Sequence, residues 1–492
     1  MAEPQAGETE DLIGRTSRSA AWRALETAGS EGLSFLLFVV MARLLIPEHF
    51  GLVALASSIV MSLQCLLQFG IPEALIQRPR LSPANIRSAM SASFMLGLAL
   101  LMLAVVLAWP LAWLLGRDEF PPIFLALSCV LIFQSLSFPL HGLLRRALDL
   151  KSIAIRTLVA TSVGGLVAIL LARAGYGPWA LVAQQLTVAG IGLLMLLRVS
   201  TVKPWPFDFQ WREFRPLIHV AKSFMLSQFA SQSARKLDTV ALGLFMGNHE
   251  VGIYFLVTRL IQAAQTVSQF SIGEISLAVL SRLQHDPERL RAGIRRAMRL
   301  TGFGCLYFFG VLALVAPAFV PTLFGEQMSD AAEPLRVLAL FATAGALIST
   351  AVHVLIAVGA ARSSTGLAVG ASLVQLIAVL ISARFGMMNL VIGIGLAQLV
   401  MVIPAFYLLQ RREGIAVSQL ALDQLLVVAG FVIAWWLGLQ AALGEGLGPA
   451  ALGVAVYTAI MLTVGGWVFR RDLGMMWHSR QSKQSMTGET GV

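Results

Sequence analysis

The residues in this chain able to do chemistry are charged and amide side chains set at helical spacing within apolar sequence. Arg23, Glu26, Thr27, Ser30, Glu31 and Ser34 recur at i, i+3 and i+4, which places them on one face of a helix. Gln228, Ser231, Gln232, Arg235 and Asp238 form a second stripe with Lys236 beside it, and Arg259, Gln262, Thr266 and Gln269 form a third. A charge at the centre of a bilayer costs at least about 2.5 kcal/mol, so these faces are expected to point into a helix bundle or a wet cavity. Arg23 with Glu26, and Arg235 with Asp238, are i, i+3 pairs whose attraction would make such a face tolerable. Across the second and third stripes, however, Arg235, Lys236 and Arg259 face only Asp238. That surplus predicts attraction of a phosphate-bearing group, for which a guanidinium fork is suited, while Gln228, Gln232, Gln262 and Gln269 offer hydrogen bonds to many hydroxyls. The expected substrate-binding set is therefore Arg23, Arg235, Lys236, Arg259 and these four glutamines. Glu26, Glu31, Asp238, Glu73 and Glu274 are the carboxylates expected to couple or gate, with an interfacial role open for Glu73 and Glu274. No spacing matches a metal site, a P-loop or a nucleophile elbow. No cofactor, metal or ATPase is expected, so any energy must come from an ion gradient, the membrane potential or the substrate's own gradient.

The elements that must carry these stripes follow from composition. Hydrophobic residues make up 57% and charged residues 13% of the 492, against about a quarter charged in soluble domains, and the mean hydropathy is +0.78. A soluble protein is excluded. With about 20 apolar residues needed per crossing, the chain reads as an all-α polytopic membrane protein of about fourteen helices. The expected spans are 16–46, 50–76, 86–115, 123–144, 153–172 and 179–197, then 222–246, 251–280, 298–324, 334–358, 364–383 and 391–409, and finally 424–443 and 449–469. This divides the chain into an N-terminal lobe (1–200), a C-terminal lobe (201–412), two extra transmembrane helices (413–471) and a tail (472–492).

Charge tests the layout independently, because short cytoplasmic loops carry the excess of Lys and Arg. Of 36 Lys and Arg, the face opposite the N-terminus receives only Arg43, Arg117, Arg173, Arg336 and Arg384, while Arg235, Lys236 and Arg259 fall within spans. Both termini are expected to be cytoplasmic. The net charge of +10 thus reflects topology rather than nucleic-acid binding. The basic stretch Arg282, Arg289, Arg291, Arg295, Arg296 and Arg299 reads as a solvated cytoplasmic loop, or as a segment lying along the anionic inner leaflet. Trp109, Trp113, Trp179, Trp467 and Trp477 sit near span ends, as an aromatic belt does. Cys65, Cys129 and Cys305 fall in apolar spans and read as small buried hydrophobes. The acidic first residues do not form a cleaved signal peptide, leaving the first span as the insertion signal.

The chain also repeats itself. Gln68-Phe69-Gly70-Ile71-Pro72-Glu73 returns as Gln269-Phe270-Ser271-Ile272-Gly273-Glu274, and the same offset pairs Gly51 with Gly252 and Gln64 with Gln265. His141 and His353 are further partners after a small drift in register. Six spans per half means that both halves share one orientation, a parallel repeat with the substrate path between two pseudo-symmetric bundles.

These strings carry a resemblance. Ala42-Arg43-Leu44-Leu45-Ile46-Pro47-Glu48-His49-Phe50-Gly51, Phe69-Gly70-Ile71, Ile76-Gln77-Arg78, Leu144-Arg145-Arg146 and Val251-Gly252-Ile253-Tyr254 together resemble the polysaccharide transporter, or oligosaccharide flippase, family of the multidrug, oligosaccharidyl-lipid and polysaccharide exporter superfamily. The resemblance implies two six-helix lobes that alternate access. It also implies passage of undecaprenyl-diphosphate-linked repeat units to the periplasmic leaflet for capsule, exopolysaccharide or O-antigen, with a polymerase and chain-length regulator as partners and the last two helices beside the lipid tail. A peptidoglycan-precursor flippase or a drug/cation antiporter of the same superfamily are the alternatives, with a membrane polymerase or ligase as a third class. An antiporter would favour a carboxylate-rich cavity, and an enzyme a large outer loop.

Overall fold

A computed structural model describes residues 6–68, 70–78, 81–200, 208–218, 238–282, 286–442, 447–468 and 470. Every described element is an α-helix or a short 3-10 turn. Twelve described helices are long and apolar enough to cross a membrane, matching the expected first six and last six spans. The expected eighth is the continuous helix Asn248–Arg282 of 35 residues, about 52 Å long at 1.5 Å per residue. The expected seventh falls mostly outside the described residues, which include only its end, a helical stretch at 238–245.

Local chemistry sets the boundaries. Ser82 and Asn85 cap the helix Pro83–Leu115 reciprocally: the Asn85 N–H donates to Ser82 Oγ at 3.1 Å, and the Ser82 N–H to Asn85 Oδ1 at 3.1 Å, with proline at the first helical position. The expected second span is two helices, Pro47–Gln68 and Ile71–Gln77. The chain turns between them at Gly70, whose φ of 115° lies where only glycine is comfortable. The expected fourth span is likewise divided, into Phe120–Ser128 and Val130–Arg146. The basic stretch expected as a loop is helical from Pro287 within Pro287–Phe324. Asp286 accepts from the Arg289 N–H at 3.1 Å, so an acidic cap and a first-position proline begin the helix. Cys65 and Cys305 are buried as expected, but Cys129, at the break in the fourth span, is exposed.

The chain forms two compact units. The first holds Met1–Leu256 together with Leu323–Met328 and Val379–Met387. Within it Ala6–Leu44 packs along Leu150–Arg173, and Leu150–Arg173 packs along Pro178–Val199. Trp109, Trp113 and Trp179 are exposed at helix ends, consistent with an interfacial belt.

The second unit holds Val257–Thr322, Ser329–Ala378 and Met388–Val492. Its core joins Leu290, Ile294 and Met298 to Leu355, Phe406 and Leu420. The final helical pair, Val417–Ala441 and Leu447–Val468, packs on Pro287–Phe324 through Leu306, Leu314, Phe431 and Tyr457. Polar pins reinforce that contact. Tyr457 Oη donates to the Leu306 carbonyl at 2.7 Å, and Gln424 Nε2 to the Met298 carbonyl at 3.0 Å. Arg295 meets Asp423 through two hydrogen bonds, Nε to Oδ2 at 3.0 Å and Nη2 to Oδ1 at 3.1 Å, the fork geometry that favours arginine.

Candidate functional site

The first unit shows where part of the first stripe lies. Glu26 faces Leu150–Arg173, where Thr157 Oγ1 donates to its carboxylate at 3.4 Å, whereas Glu31 is exposed. Arg23 is on the same helix, with its side chain outside the described set. Asp238 is 9% exposed and accepts from Tyr254 Oη at 3.2 Å and from the Thr239 N–H at 2.7 Å. Burial with several donors keeps a carboxylate tolerable in an apolar setting. In the second unit Arg259 is half-buried and Gln262 exposed on Asn248–Arg282. Gln269 and Glu274 fall on that helix with side chains outside the described set, and Gln228, Gln232, Arg235 and Lys236 lie outside the described residues. Glu73 accepts from the Gly70 N–H at 2.8 Å, so its carboxylate closes the start of Ile71–Gln77.

A site that the stripes did not announce is built from inter-helical turns meeting in the first unit. Pro47–Gln68 and Asn248–Arg282 begin side by side, and they begin at equivalent repeat positions. A Cβ placed on Gly51 would lie 1.9 Å from the Asn248 carbonyl oxygen, and one on Gly252 would lie 1.9 Å from that of Pro47. The contact is reciprocal, as a two-fold relation between the repeats requires, and only glycine lets two backbones approach so closely. Glu48 and His249, again equivalent positions, meet at 2.9 Å. Beneath the crossing Phe38 packs against Phe50, Phe255 and Phe324 at 5.7, 6.0 and 5.8 Å between centroids.

Three of the five arginines expected on the charge-poor face, Arg43, Arg117 and Arg384, serve this junction. Arg43 Nε donates to the Leu323 carbonyl at 2.8 Å, and Arg117 Nη2 to those of Met246 and Gly243 at 2.6 and 3.3 Å. Arg384 lies 5.1 Å from the Phe245 ring, within cation–π range. Gln327 Nε2 donates to the Ala42 and Leu45 carbonyls at 2.7 and 3.0 Å. Burial holds the Arg117 guanidinium below its usual pKa, opposed by the nearby charge of Glu250. Arg43, Arg117 and Arg384 thus tie turns together within the first unit.

The same holds at the opposite helix ends. Arg146 Nη1 donates to the carbonyls of Leu75 at 2.8 Å and Ile76 at 3.2 Å, and to that of Arg78, clamping the end of the short helix that Glu73 begins. An Arg146→Ala variant, which removes the donor shared by these carbonyls, should melt lower by a shift worth about 1–2 kcal/mol, read by thermal unfolding in detergent. By contrast Glu48 and His249 are 44% and 37% exposed. Glu48→Gln is expected to change stability by less than about 1 kcal/mol, read by the same melt.

The all-helical fold is one that solved membrane transporters share. The structure superposes on that of the lipid II flippase MurJ, inward closed conformation, with a TM-score of 0.75 at 12% identity, covering 92% of this chain and 99% of that one. It also matches an inward-facing multidrug resistance MATE family transporter of the MOP superfamily, with a TM-score of 0.63 at 18% identity, covering 80% and 95%. The family described as polysaccharide biosynthesis protein matches residues 40–333, and the chain belongs to that family. The succinoglycan biosynthesis transport protein ExoT of Rhizobium meliloti (strain 1021) is 28% identical over 325 residues, 66% of this chain and 65% of that protein. The lipopolysaccharide biosynthesis protein WzxC of Escherichia coli (strain K12) is 23% identical over 338 residues, 66% of each chain. The match thus spans just under two thirds of these relatives' own length.

Proposed function

We propose that the protein is a flippase that carries a polyprenyl-diphosphate-linked oligosaccharide from the cytoplasmic to the periplasmic leaflet of a bacterial inner membrane, for surface polysaccharide synthesis. The observation that carries this reading is membership of the polysaccharide biosynthesis family across residues 40–333. The excess of arginine and lysine in the second and third stripes fits a diphosphate, and relatives named for succinoglycan transport and lipopolysaccharide biosynthesis favour a lipid-linked glycan over a drug or a peptidoglycan precursor. Both termini lie in the cytoplasm on this reading, and the reciprocal junction at Gly51 and Gly252 closes the periplasmic side in one state of an alternating-access cycle. Arg235, Lys236 and Arg259 engage the diphosphate, the glutamines meet the sugars, and a polysaccharide polymerase receives the product.

Deleting the gene in its native host tests this. Surface polymer should be lost, and a complete lipid-linked repeat unit should accumulate in the inner membrane. Normal polymer with no intermediate would contradict the reading, and incomplete repeat units would point to an enzyme. Arg235→Ala and Arg259→Ala should each fail to restore polymer while keeping wild-type protein levels in the membrane; full complementation by both would remove the cationic site from the proposal.

A further inference from the structure

Arg156 lies in the second turn of Leu150–Arg173, where the sequence alone assigns it to the cytoplasmic charge excess. It is half-buried, and its Nε–H donates to the Gly192 carbonyl of Pro178–Val199 at 3.2 Å. That uses one of five guanidinium donors. Among the described residues its two terminal NH2 groups have no hydrogen-bond partner, and no carboxylate lies within ion-pair distance. Glu26 is the acidic group within its electrostatic reach, and the neighbouring Thr157 hydroxyl donates to that carboxylate. Gly192 leaves room for the group in this position: a Cβ there would fall 2.9 Å from one terminal nitrogen and 3.1 Å from Nε.

A clamp between helices explains the Nε–H bond but not the rest, since a neutral amide could make it without a cation held partly out of water. What the three helices present is a guanidinium fixed on one edge, with two parallel donor groups left over. That is the arrangement suited to a pair of phosphate oxygens. Its depth agrees: Arg156 is about 9 Å along its helix from Leu150, and Gly192 about 10 Å from Val199, at 1.5 Å per residue. Both lie near the end of their spans on the N-terminal face, below where the phosphate layer of that leaflet would sit.

We propose that Arg156 is a loading site for the phosphate oxygens of the lipid-linked substrate, reached from the leaflet on the N-terminal side before transfer to the deeper stripe residues. This rests on the flippase reading above. Gly192 is a positioning residue, holding the fork, and Glu26 limits how firmly the anion is retained.

The test uses full-length protein in nanodiscs of zwitterionic lipid, titrated with undecaprenyl diphosphate and separately with phosphatidylglycerol. Arg156→Ala should weaken undecaprenyl diphosphate binding about tenfold or more, and Arg156→Lys and Gly192→Ala by a smaller factor. The melting temperature of Arg156→Lys should stay at the wild-type value, and phosphatidylglycerol binding should be unaffected. Wild-type affinity for undecaprenyl diphosphate in all three variants, with Arg235→Ala impaired, would overturn the role of Arg156 alone. An equal loss for both lipids would make this a bulk phospholipid site and overturn the substrate assignment. If the wild-type protein bound no undecaprenyl diphosphate, the flippase reading would fail as well.

Discussion

Gly51→Val and Gly252→Val will each reduce transport at least about tenfold, and by similar amounts, although neither residue belongs to the proposed substrate-binding set. Each glycine accepts the other helix's backbone where a Cβ would be 1.9 Å from a carbonyl oxygen. No side-chain rotation relieves that overlap, so the helix starts must separate. Overpacking of this kind costs about 1–3 kcal/mol, and 2 kcal/mol shifts a two-state equilibrium roughly thirtyfold. The state with this junction closed should lose population, and a cysteine introduced at Glu48 should react faster with a membrane-impermeant maleimide. The two substitutions should not add when combined, because they relieve one shared contact. Wild-type transport and unchanged labelling in both variants would remove the junction from the mechanism.

Gly310→Val will lower thermal stability by an amount worth about 2–4 kcal/mol. Its Cβ would sit 2.2 Å from Tyr457 Oη and 2.8 Å from the Phe431 ring, expelling the buried Tyr457 side chain from its contact with Pro287–Phe324. The cost combines overpacking with a lost buried hydrogen bond. Tyr457→Phe should cost only about 1 kcal/mol, because the Leu306 carbonyl lies inside a helix and retains its backbone partner. Melting curves in detergent measure both, and a disulfide engineered between the terminal helical pair and Pro287–Phe324 should form in the wild type and fail in Gly310→Val. Equal melting temperatures for Gly310→Val and the wild type would show that the terminal pair is not held by this socket.

Much of the fold is legible in the sequence because a membrane imposes length and charge rules that leave few solutions. Apolar runs place the helices, and the scarcity of Lys and Arg marks one face. The turns that meet around Gly51 and Gly252 are those that the charge pattern assigns to that face. The repeat was visible in the pairing of Gly51 with Gly252, but their mutual contact was not, since periodicity reports a residue's face and not its neighbour. For the same reason Arg43, Arg117 and Arg384 read as topology signals, although the structure uses them on carbonyls and a ring. The break at Gly70 and the helix starting at Pro287 had readable signals, a Gly-Ile-Pro-Glu string and an Asp-Pro cap, which the apolar and basic composition around them masked. Arg156 likewise counts in the sequence only toward the charge excess of the N-terminal face, whereas in the structure it donates to the Gly192 carbonyl of the next helix. Spacing could assign Glu26 and Arg259 to polar faces, but which helix each face meets depends on tertiary packing.

The most direct measurement of the central claim is flipping by the purified protein. Proteoliposomes would carry a fluorescent polyprenyl-diphosphate oligosaccharide in one leaflet, with a membrane-impermeant reagent destroying whatever reaches the other. Wild-type protein is predicted to make the label accessible within minutes, Arg235→Ala and Arg259→Ala to leave it protected, and a polyprenyl-linked sugar lacking the diphosphate to move slowly. Protected label with the wild-type protein, under every ion gradient and membrane potential imposed, would contradict the account.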